Sequence, residues 1–94
     1  MNYEDNCVYI GDKETNVYVF AVQTQAQINS EVIIKAYGKN ISKAVDVAQI
    51  SINRFLVGWI QKDVSTGTEK KTVRKDDMEL IEKFSYINIT LVKK

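Results

Sequence analysis

Three lysines surround a glycine in the stretch KAYGKNISKAVD, residues 35–46. If a helix begins just after Gly38, its first amide hydrogens lack partners within the helix and form the positive end of the helix dipole. Lys39 and Lys43 then lie one turn apart on the same side, and Gly38 allows a close backbone approach. Two ammonium groups and free amides can bracket one phosphate. The stretch therefore predicts an anion-binding site.

Positive charge is concentrated around this stretch, although the whole chain has a net charge of only +1. Between residues 35 and 54, Lys35, Lys39, Lys43 and Arg54 stand against Asp46, so four positive charges minus one negative charge leave +3. The local field matters more than total charge for binding an anion. A modest basic patch is predicted, and the alternative is a solvated face in which Lys43 pairs with Asp46.

A second group of charges lies between residues 69 and 83. We expect its basic half to touch phosphate and its acidic half to stay away or to contact a neighbouring protein; the alternative is a set of solubility charges. The basic residues are Lys70, Lys71, Arg74, Lys75 and Lys83, and the acidic residues are Glu69, Asp76, Asp77, Glu79 and Glu82.

The composition disfavours an enzyme and a metal protein. The chain has no histidine, and its one cysteine, Cys7, has no partner for an internal disulfide or for thiol catalysis. We expect Cys7 to be a buried strand residue. The acidic residues between 76 and 82 lie in a polar segment without a shaped pocket. No catalytic residue, metal or cofactor is predicted.

Length and composition predict one globular domain, residues 1–94. Hydrophobic residues make up 45% and charged residues 27% of the chain, which are ordinary values for a folded domain. The core of so short a chain is modest, so association with a second copy would help. Neither a membrane-spanning run nor a leader segment is visible. A cytoplasmic location is therefore expected.

The first half of the chain predicts a strand, a helix and a second strand. Residues 6–10 are β-prone and stop before Gly11. Residues 31–37 contain three consecutive β-branched residues, typical of a central strand covered on both faces. Residues 14–28 are predicted to form a helix whose core face carries Val17, Phe20, Ala21, Thr24 and Ile28.

The second half predicts a helix followed by two antiparallel strands. The strands cover residues 59–73 and 85–94, and Ile87, Ile89 and Leu91 alternate onto the core face. Residues 70–84 are too long for a tight turn, so a projecting connection is expected, with a helical turn over residues 76–83. The helix covers residues 40–56, with an apolar stripe of Ile41, Ala44, Val45, Ala48, Ile52, Phe55 and Leu56.

The order βαβαββ favours an α/β, two-layer sandwich. We expect a four-stranded mixed sheet with two helices on one face and an extended hairpin between the third and fourth strands.

Three segments in this order, VYIGDK, EVIIKAYGKNISKAVDVA and NRFLVG, resemble the Alba proteins, small dimeric nucleic-acid-binding proteins of archaea with relatives in eukaryotes. The resemblance covers nearly the whole chain. It implies a homodimer lying across a duplex, with two hairpins reaching outward and contacting mostly the backbone. It also implies basic contacts at Lys13, Lys39, Lys43 and Arg54, and dimer-to-dimer contact through Phe55. Lys13 or its neighbour is acetylated in some members.

The chain departs from this family at three positions. Asp12, Tyr37 and Ile52 stand where relatives often carry basic residues, which lowers the positive charge facing phosphate and the expected affinity for duplex DNA. Tyr37 beside basic residues can instead stack on an unpaired base. Cross-strand packing is the alternative role for this ring.

Two functions follow from these patterns. The first is a nucleoid-associated chromatin protein that coats and packages DNA, or binds RNA, through backbone contacts with little sequence specificity. The second is a heterodimer partner that modulates a more basic paralogue. The predicted contacts of the first function are Lys13, Tyr37, Gly38, Lys39, Lys43, Arg54, Lys70, Lys71, Arg74 and Lys75.

Overall fold

A computed structural model describes residues 6–94 of the chain. The predicted order βαβαββ is confirmed. A 3-10 turn, Gly38–Asn40, leads into the second helix, and a π-helical turn, Ser51–Phe55, follows it. The elements are β1 (Cys7–Tyr9), α1 (Thr15–Ile28), β2 (Glu31–Tyr37), α2 (Ile41–Ile50), β3 (Trp59–Lys75) and β4 (Met78–Lys93).

The four strands form one mixed sheet in the order β1-β2-β4-β3. β1 runs parallel to β2, whereas β4 is antiparallel to both β2 and β3. Both helices pack on the same side of this sheet, so the predicted two-layer sandwich is confirmed. The alternate strand residues that meet the helices in the core are Val32, Ile34, Ala36, Ile87, Ile89 and Leu91.

The other side of the sheet, called here the open face, carries no helix among the described residues. Ile33 and Lys35 of β2 lie on this face and are only half-buried. The prediction that β2 is covered on both faces is therefore wrong, because β-branched residues favour a strand whether or not both sides are buried. Cys7, predicted to be buried, also lies on the open face and is half-buried.

Helix α1 is confirmed, but it turns a different side to the sheet from the one predicted. Its buried residues are Tyr18, Val19 and Val22. The helix carries apolar residues on two sides, and their spacing alone does not identify the stripe that meets the sheet. The predicted core stripe is wholly or partly exposed: Val17, Phe20, Ala21, Thr24 and Ile28.

Helix α2 follows the predicted stripe only in part. Val45 is 41% exposed and Phe55 is 50% exposed, so these two residues of the stripe lie outside the core of the single chain. The wider π-helical turn changes the angular spacing before Phe55. Neither helix within residues 6–94 has the length and apolar composition of a membrane span. From the stripe, Ala44, Ala48 and Leu56 are buried and Ile41 and Ile52 are half-buried, while Val47 and Ser51 are additional buried residues.

Strands β3 and β4 form a continuous hairpin that turns through two residues, Asp76 and Asp77. Lys75 pairs directly with Met78. Both aspartates have positive φ, 50° and 62°, as in a type I′ turn, and aspartate tolerates this conformation better than most residues. The predicted long connection over residues 70–84 and its helical turn are therefore wrong. The hairpin does extend, and the described chain measures 51 × 27 × 23 Å.

Substitutions at Asp77 should change the opening of the hairpin in opposite directions. Glycine adopts positive φ without strain, so Asp77→Gly should raise the free energy of hairpin opening by about 1 kcal/mol, whereas the β-branched Asp77→Val should lower it. Native-state hydrogen exchange of the β3 and β4 amides measures this energy. Equal exchange in the two variants would contradict the positive-φ turn.

Candidate nucleic-acid interface

Lys43 holds a neighbouring loop in place at one end of the sheet. The loop, residues 11–13, connects β1 to α1, and Lys43 lies in the first turns of α2. The Lys43 Nζ donates hydrogen bonds to the carbonyl oxygens of Gly11, at 2.9 Å, and Lys13, at 2.7 Å. It also lies 5.8 Å from the centre of the Tyr18 ring. Charge-assisted bonds of this kind are the stronger ones in proteins.

Tyr18 binds the backbone amides of the same loop. The hydroxyl oxygen of Tyr18 accepts hydrogen bonds from the backbone N–H groups of Gly11, at 2.9 Å, and Lys13, at 3.1 Å. A Cβ atom on Gly11 would lie 3.1 Å from this oxygen, so a larger residue would crowd it. Lys43 and Tyr18, together called here the loop clamp, thus bind two carbonyls and two amides of one short loop. The loop is held rigidly, with the Lys13 side chain exposed.

Gly38 begins the turn that brings Lys39 beside this loop. Its φ of +52° favours glycine, and no atom lies within 4 Å of a Cβ placed there, so the requirement is conformational. The Lys39 Nζ lies 3.4 Å from the Asp12 carboxylate, and the two side chains are 80% and 79% exposed. So exposed a pair contributes little to stability. Asp12 nevertheless partly neutralises Lys39 where it meets solvent.

The structure therefore brings together Lys13, Gly38, Lys39 and Lys43 but divides their roles. Lys43 has three N–H donors, and two already bind carbonyl oxygens. Lys13 and Lys39 are the exposed ammonium groups of the cluster. Lys35 lies apart from it on the open face. The chemistry that the cluster can perform is phosphate binding by two exposed lysines on loops whose positions are fixed by a third.

Arg54 and Phe55 lie at the opposite end of the second helix. The intervening residues rise by about 1.5 Å each, which places Arg54 about 20 Å from Lys39. A single chain thus does not bring Arg54 to the Lys13 cluster. Ile52 is half-buried against the core, where an apolar side chain is favoured. Phe55 borders a groove of about 300 Å³ that is also lined by Gln23, Ala26, Gln27, Leu56, Val57 and Trp59.

Tyr37 ends β2 on the open face, next to the basic turn. Its hydroxyl donates to the Glu69 carboxylate at 3.3 Å, and its ring meets Tyr86 edge-on, with centres 6.3 Å apart. Partial desolvation, followed by the Glu69 charge and hydrogen bond, raises the pKa of the Tyr37 phenol. Cross-strand packing is therefore present. The ring is still 37% exposed, so packing leaves part of it available.

Basic and acidic residues stand side by side on the hairpin. In the strand register, Lys71 lies directly opposite Glu82, and Arg74 lies opposite Glu79. The Lys75 Nζ forms an ion pair with the Glu82 carboxylate at 4.0 Å. Because the tight turn folds β4 back along β3, the acidic half lies beside the basic half, so a phosphate at Lys71 would also lie near Glu82. Charge on this part of the hairpin is largely balanced.

Lys70 has a different neighbour from the other hairpin lysines. It pairs with Lys83 across the two strands, and directly paired residues of antiparallel strands point to the same face. These two ammonium groups lie on the helix side of the sheet, which Arg74, four pairs further on and opposite Glu79, also faces. The unbalanced positive charge of the hairpin is therefore on this side.

Sequence reasoning missed several contributors to the site. Tyr18 was not predicted, because its role depends on backbone groups of a loop that precedes it. Tyr9 and Phe84 on the open face were also missed, although the period of two in each strand is a signal that could have placed them with Tyr37. Within residues 6–94, no group of three or more Cys, Asp or Glu side chains is arranged to hold a metal ion.

Comparisons with known proteins connect this geometry to one family. A family model described as Alba matches residues 6–69. The "DNA/RNA-binding protein Alba" of Methanoculleus marisnigri is 49% identical over 67 residues, which cover 70% of this chain and 74% of that protein. The protein of the same name from Picrophilus torridus is 36% identical over 92 residues, covering 96% of this chain and 98% of that protein.

Solved structures agree with the sequence comparisons. The structure of "Alba from Thermoplasma volcanium" superposes with a TM-score of 0.76 at 36% identity, covering 93% of this chain and 99% of that one. The structure of ALBA1 from Trypanosoma brucei has a TM-score of 0.72 at 19% identity, covering 94% of this chain and 68% of that one. The second likeness supports the fold alone.

The loop clamp should be visible in folding stability. Lys43→Met removes the donor to two carbonyl oxygens and should lower the free energy of unfolding by about 1 to 3 kcal/mol. Lys39→Met, a matched change at an exposed ion pair, should alter it by less than about 0.5 kcal/mol. Urea denaturation followed by circular dichroism measures both. Equal effects of the two substitutions would contradict the clamp.

The pKa of Tyr37 should depend on Glu69. Glu69→Gln removes the charge but keeps a hydrogen-bond acceptor, so the Tyr37 pKa should fall toward the ordinary tyrosine range. In the native chain, the folded state favours the protonated phenol, so this contribution to stability is lost as pH rises through the raised pKa. NMR titration of 13Cζ-labelled tyrosine, assigned with Tyr37→Phe, measures the shift. An unchanged Tyr37 pKa in the Gln variant would disprove the coupling.

Proposed function

The chain belongs to the Alba family, and from this premise we propose that it binds the sugar-phosphate backbone of nucleic acids with little sequence specificity. In this proposal, residues 1–94 are a single nucleic-acid-binding domain that coats and packages DNA, and also binds RNA, in association with the nucleoid. No catalytic role is assigned to it. The curated relatives carry the name "DNA/RNA-binding protein Alba", which supports nucleic acid as the partner.

The observation that carries the proposal is the loop clamp and the two lysines that it presents. Lys43 bonds to the Gly11 and Lys13 carbonyls at 2.9 and 2.7 Å, which fixes the loop beside Lys39. Lys13 and Lys39 thus meet a phosphate without the full entropic cost of loop ordering. Point charges and free amides recognise phosphate but carry no information about base sequence.

A homodimer is part of this proposal. Two-fold symmetry would present the lysine cluster twice, which suits a repeating polyanion better than a single small anion. Val45 on α2 and Val64 on β3 are more than 40% exposed, as are several α1 residues. Exposed apolar side chains of this number support burial against a second copy.

Other predicted contacts extend the backbone-binding surface in this proposal. Arg54 adds a positive charge at the far end of α2, and Phe55 with its groove is the contact between neighbouring dimers. Of the hairpin residues Lys70, Lys71, Arg74 and Lys75, Lys70 lies beside Lys83 rather than opposite a carboxylate. We therefore expect Lys70 to contribute most of the hairpin's attraction for phosphate.

A second function, modulation of a more basic paralogue in a heterodimer, is favoured by one specific observation. Asp12 lies 3.4 Å from the Lys39 ammonium group, so the chain carries its own competitor for phosphate. A chain with this pair would bind nucleic acid weakly alone and contribute more as one half of a mixed dimer.

Charge changes at the cluster should alter duplex affinity in both directions. Lys13→Glu with Lys39→Glu should weaken binding to duplex DNA. The slope of log affinity against log salt should also become shallower, by about 0.9 for each phosphate that the variant no longer neutralises. Asp12→Asn should strengthen binding, because Lys39 is released from its competitor. Fluorescence anisotropy of a labelled duplex, titrated at several salt concentrations, measures both effects.

Lys93→Glu provides a control with the same charge change. Lys93 is exposed and pairs with Trp59 at the opposite end of the sheet from the lysine cluster, so its reversal should have a smaller effect. If Lys93→Glu and the double cluster variant weakened binding equally per charge, the cluster would not be the binding site. If this chain alone bound the duplex weakly and a second, more basic Alba chain restored the affinity, the result would support the heterodimer function instead.

A further inference from the structure

Four aromatic rings lie together on the open face and have no role in the loop clamp. Strand register places them on one surface, since Tyr9 aligns with Lys35, Tyr37 with Tyr86, and Phe84 with Glu69. Tyr9, Tyr37, Phe84 and Tyr86, with the lysines between them, are called here the aromatic platform.

Ammonium groups lie over rings of the platform. The Lys35 Nζ lies 5.9 Å from the centre of the Tyr9 ring. The Lys71 Nζ lies 4.9 Å from the centre of Tyr37 and 5.7 Å from that of Phe84. The platform therefore combines exposed π-surfaces with positive charges within a few ångströms of each other.

Gly67 allows one of these rings to lie against the sheet. A Cβ atom at Gly67 would lie 2.5 Å from the Tyr86 hydroxyl oxygen and 2.6 Å from its ring carbon Cζ, which is closer than real contacts. Only glycine on β3 leaves room for Tyr86 in this position. The Tyr86 ring then meets the edge of Tyr37 at 6.3 Å and supports it from one side.

The most exposed rings of the platform adjoin the basic loops. Tyr9 is 58% exposed and Tyr37 is 37% exposed. Tyr37 directly precedes Gly38 and Lys39, so a strand held by the lysine cluster can continue onto the rings without leaving the surface. The Glu69 carboxylate on the Tyr37 hydroxyl is the nearest negative charge and opposes phosphate there.

We propose that the aromatic platform binds an unpaired segment of RNA or DNA, with bases stacked on Tyr9 and Tyr37 and phosphates paired with Lys35 and Lys71. The inference rests on the proposed nucleic-acid function and names a ligand class for it. Bases of a duplex are already stacked and paired, so only an unpaired strand offers its faces to these rings. Stacking accepts any base, because every base has a π-face.

The test compares two ligands on one set of variants. Tyr9→Leu with Tyr37→Leu should weaken binding of a labelled oligothymidylate by about tenfold or more, while duplex affinity changes by less than about twofold. Tyr37→Phe keeps the ring and should keep oligothymidylate affinity. Tyr9→Phe with Tyr37→Phe, a double change at the same two positions that keeps both rings, should change neither affinity. Thermal melting followed by circular dichroism checks that each variant folds.

A second measurement does not depend on variants. Oligouridylate carrying 5-iodouracil, irradiated with the unaltered protein, should cross-link to Tyr9 or Tyr37, as mapped by mass spectrometry.

A third measurement concerns the opposing charge of Glu69. Glu69→Gln should raise oligothymidylate affinity, because it removes the opposing charge.

The outcomes separate this inference from the proposed function. Oligothymidylate affinity that is unchanged in the double tyrosine variant, or cross-links that all fall elsewhere, overturns the platform. If duplex binding still depends on Lys13 and Lys39 in that case, the proposed function stands without it. If the unaltered protein binds neither ligand, both fail.

Discussion

The hydrogen bonds from the Lys43 ammonium group to the carbonyls of Gly11 and Lys13 join parts of the chain about thirty residues apart. They form because β1 and β2 are parallel neighbours, so the loops that follow the two strands meet at the same end of the sheet. Tyr18 completes the arrangement from α1. The sheet order and both helices are therefore required to place two exposed lysines side by side, and the phosphate-binding proposal depends on that placement.

Carboxylates beside the exposed lysines and arginine of this chain moderate its attraction for phosphate. Asp12 accompanies Lys39, and carboxylates face Lys71 and Arg74 across the hairpin. Exposed pairs of this kind add little stability, but each lowers the local positive potential. The same end of the sheet gains aromatic surface at Tyr37. In the proposed function, this arrangement shifts the balance from long-range attraction to phosphate, which is sensitive to salt, toward short-range contact with bases.

Much of the fold could be predicted from the sequence, because hydrophobic periodicity and glycine positions identify strands and helices locally. Alternation correctly placed Ile89 and its neighbours on the core face of β4. The sequence could not identify which side of α1 is buried, since Phe20 and Val19 are both strongly apolar. It also could not identify the hairpin turn, because residues 76–77 lack the usual glycine. The exposed position of Lys39 beside the Gly38 turn follows from the sequence, whereas the structural role of Lys43 depends on carbonyls contributed by a distant loop.

The most direct test of this mechanism is an NMR titration of the 15N-labelled protein with a short DNA duplex. Amide shifts report which backbone groups meet the ligand, without any substitution. We expect the largest changes at residues 11–13 and 38–43, with smaller changes on the hairpin. Changes that leave both loops unaffected and cluster elsewhere, such as on the exposed side of α1, would contradict the central claim that the clamped loops hold the phosphate.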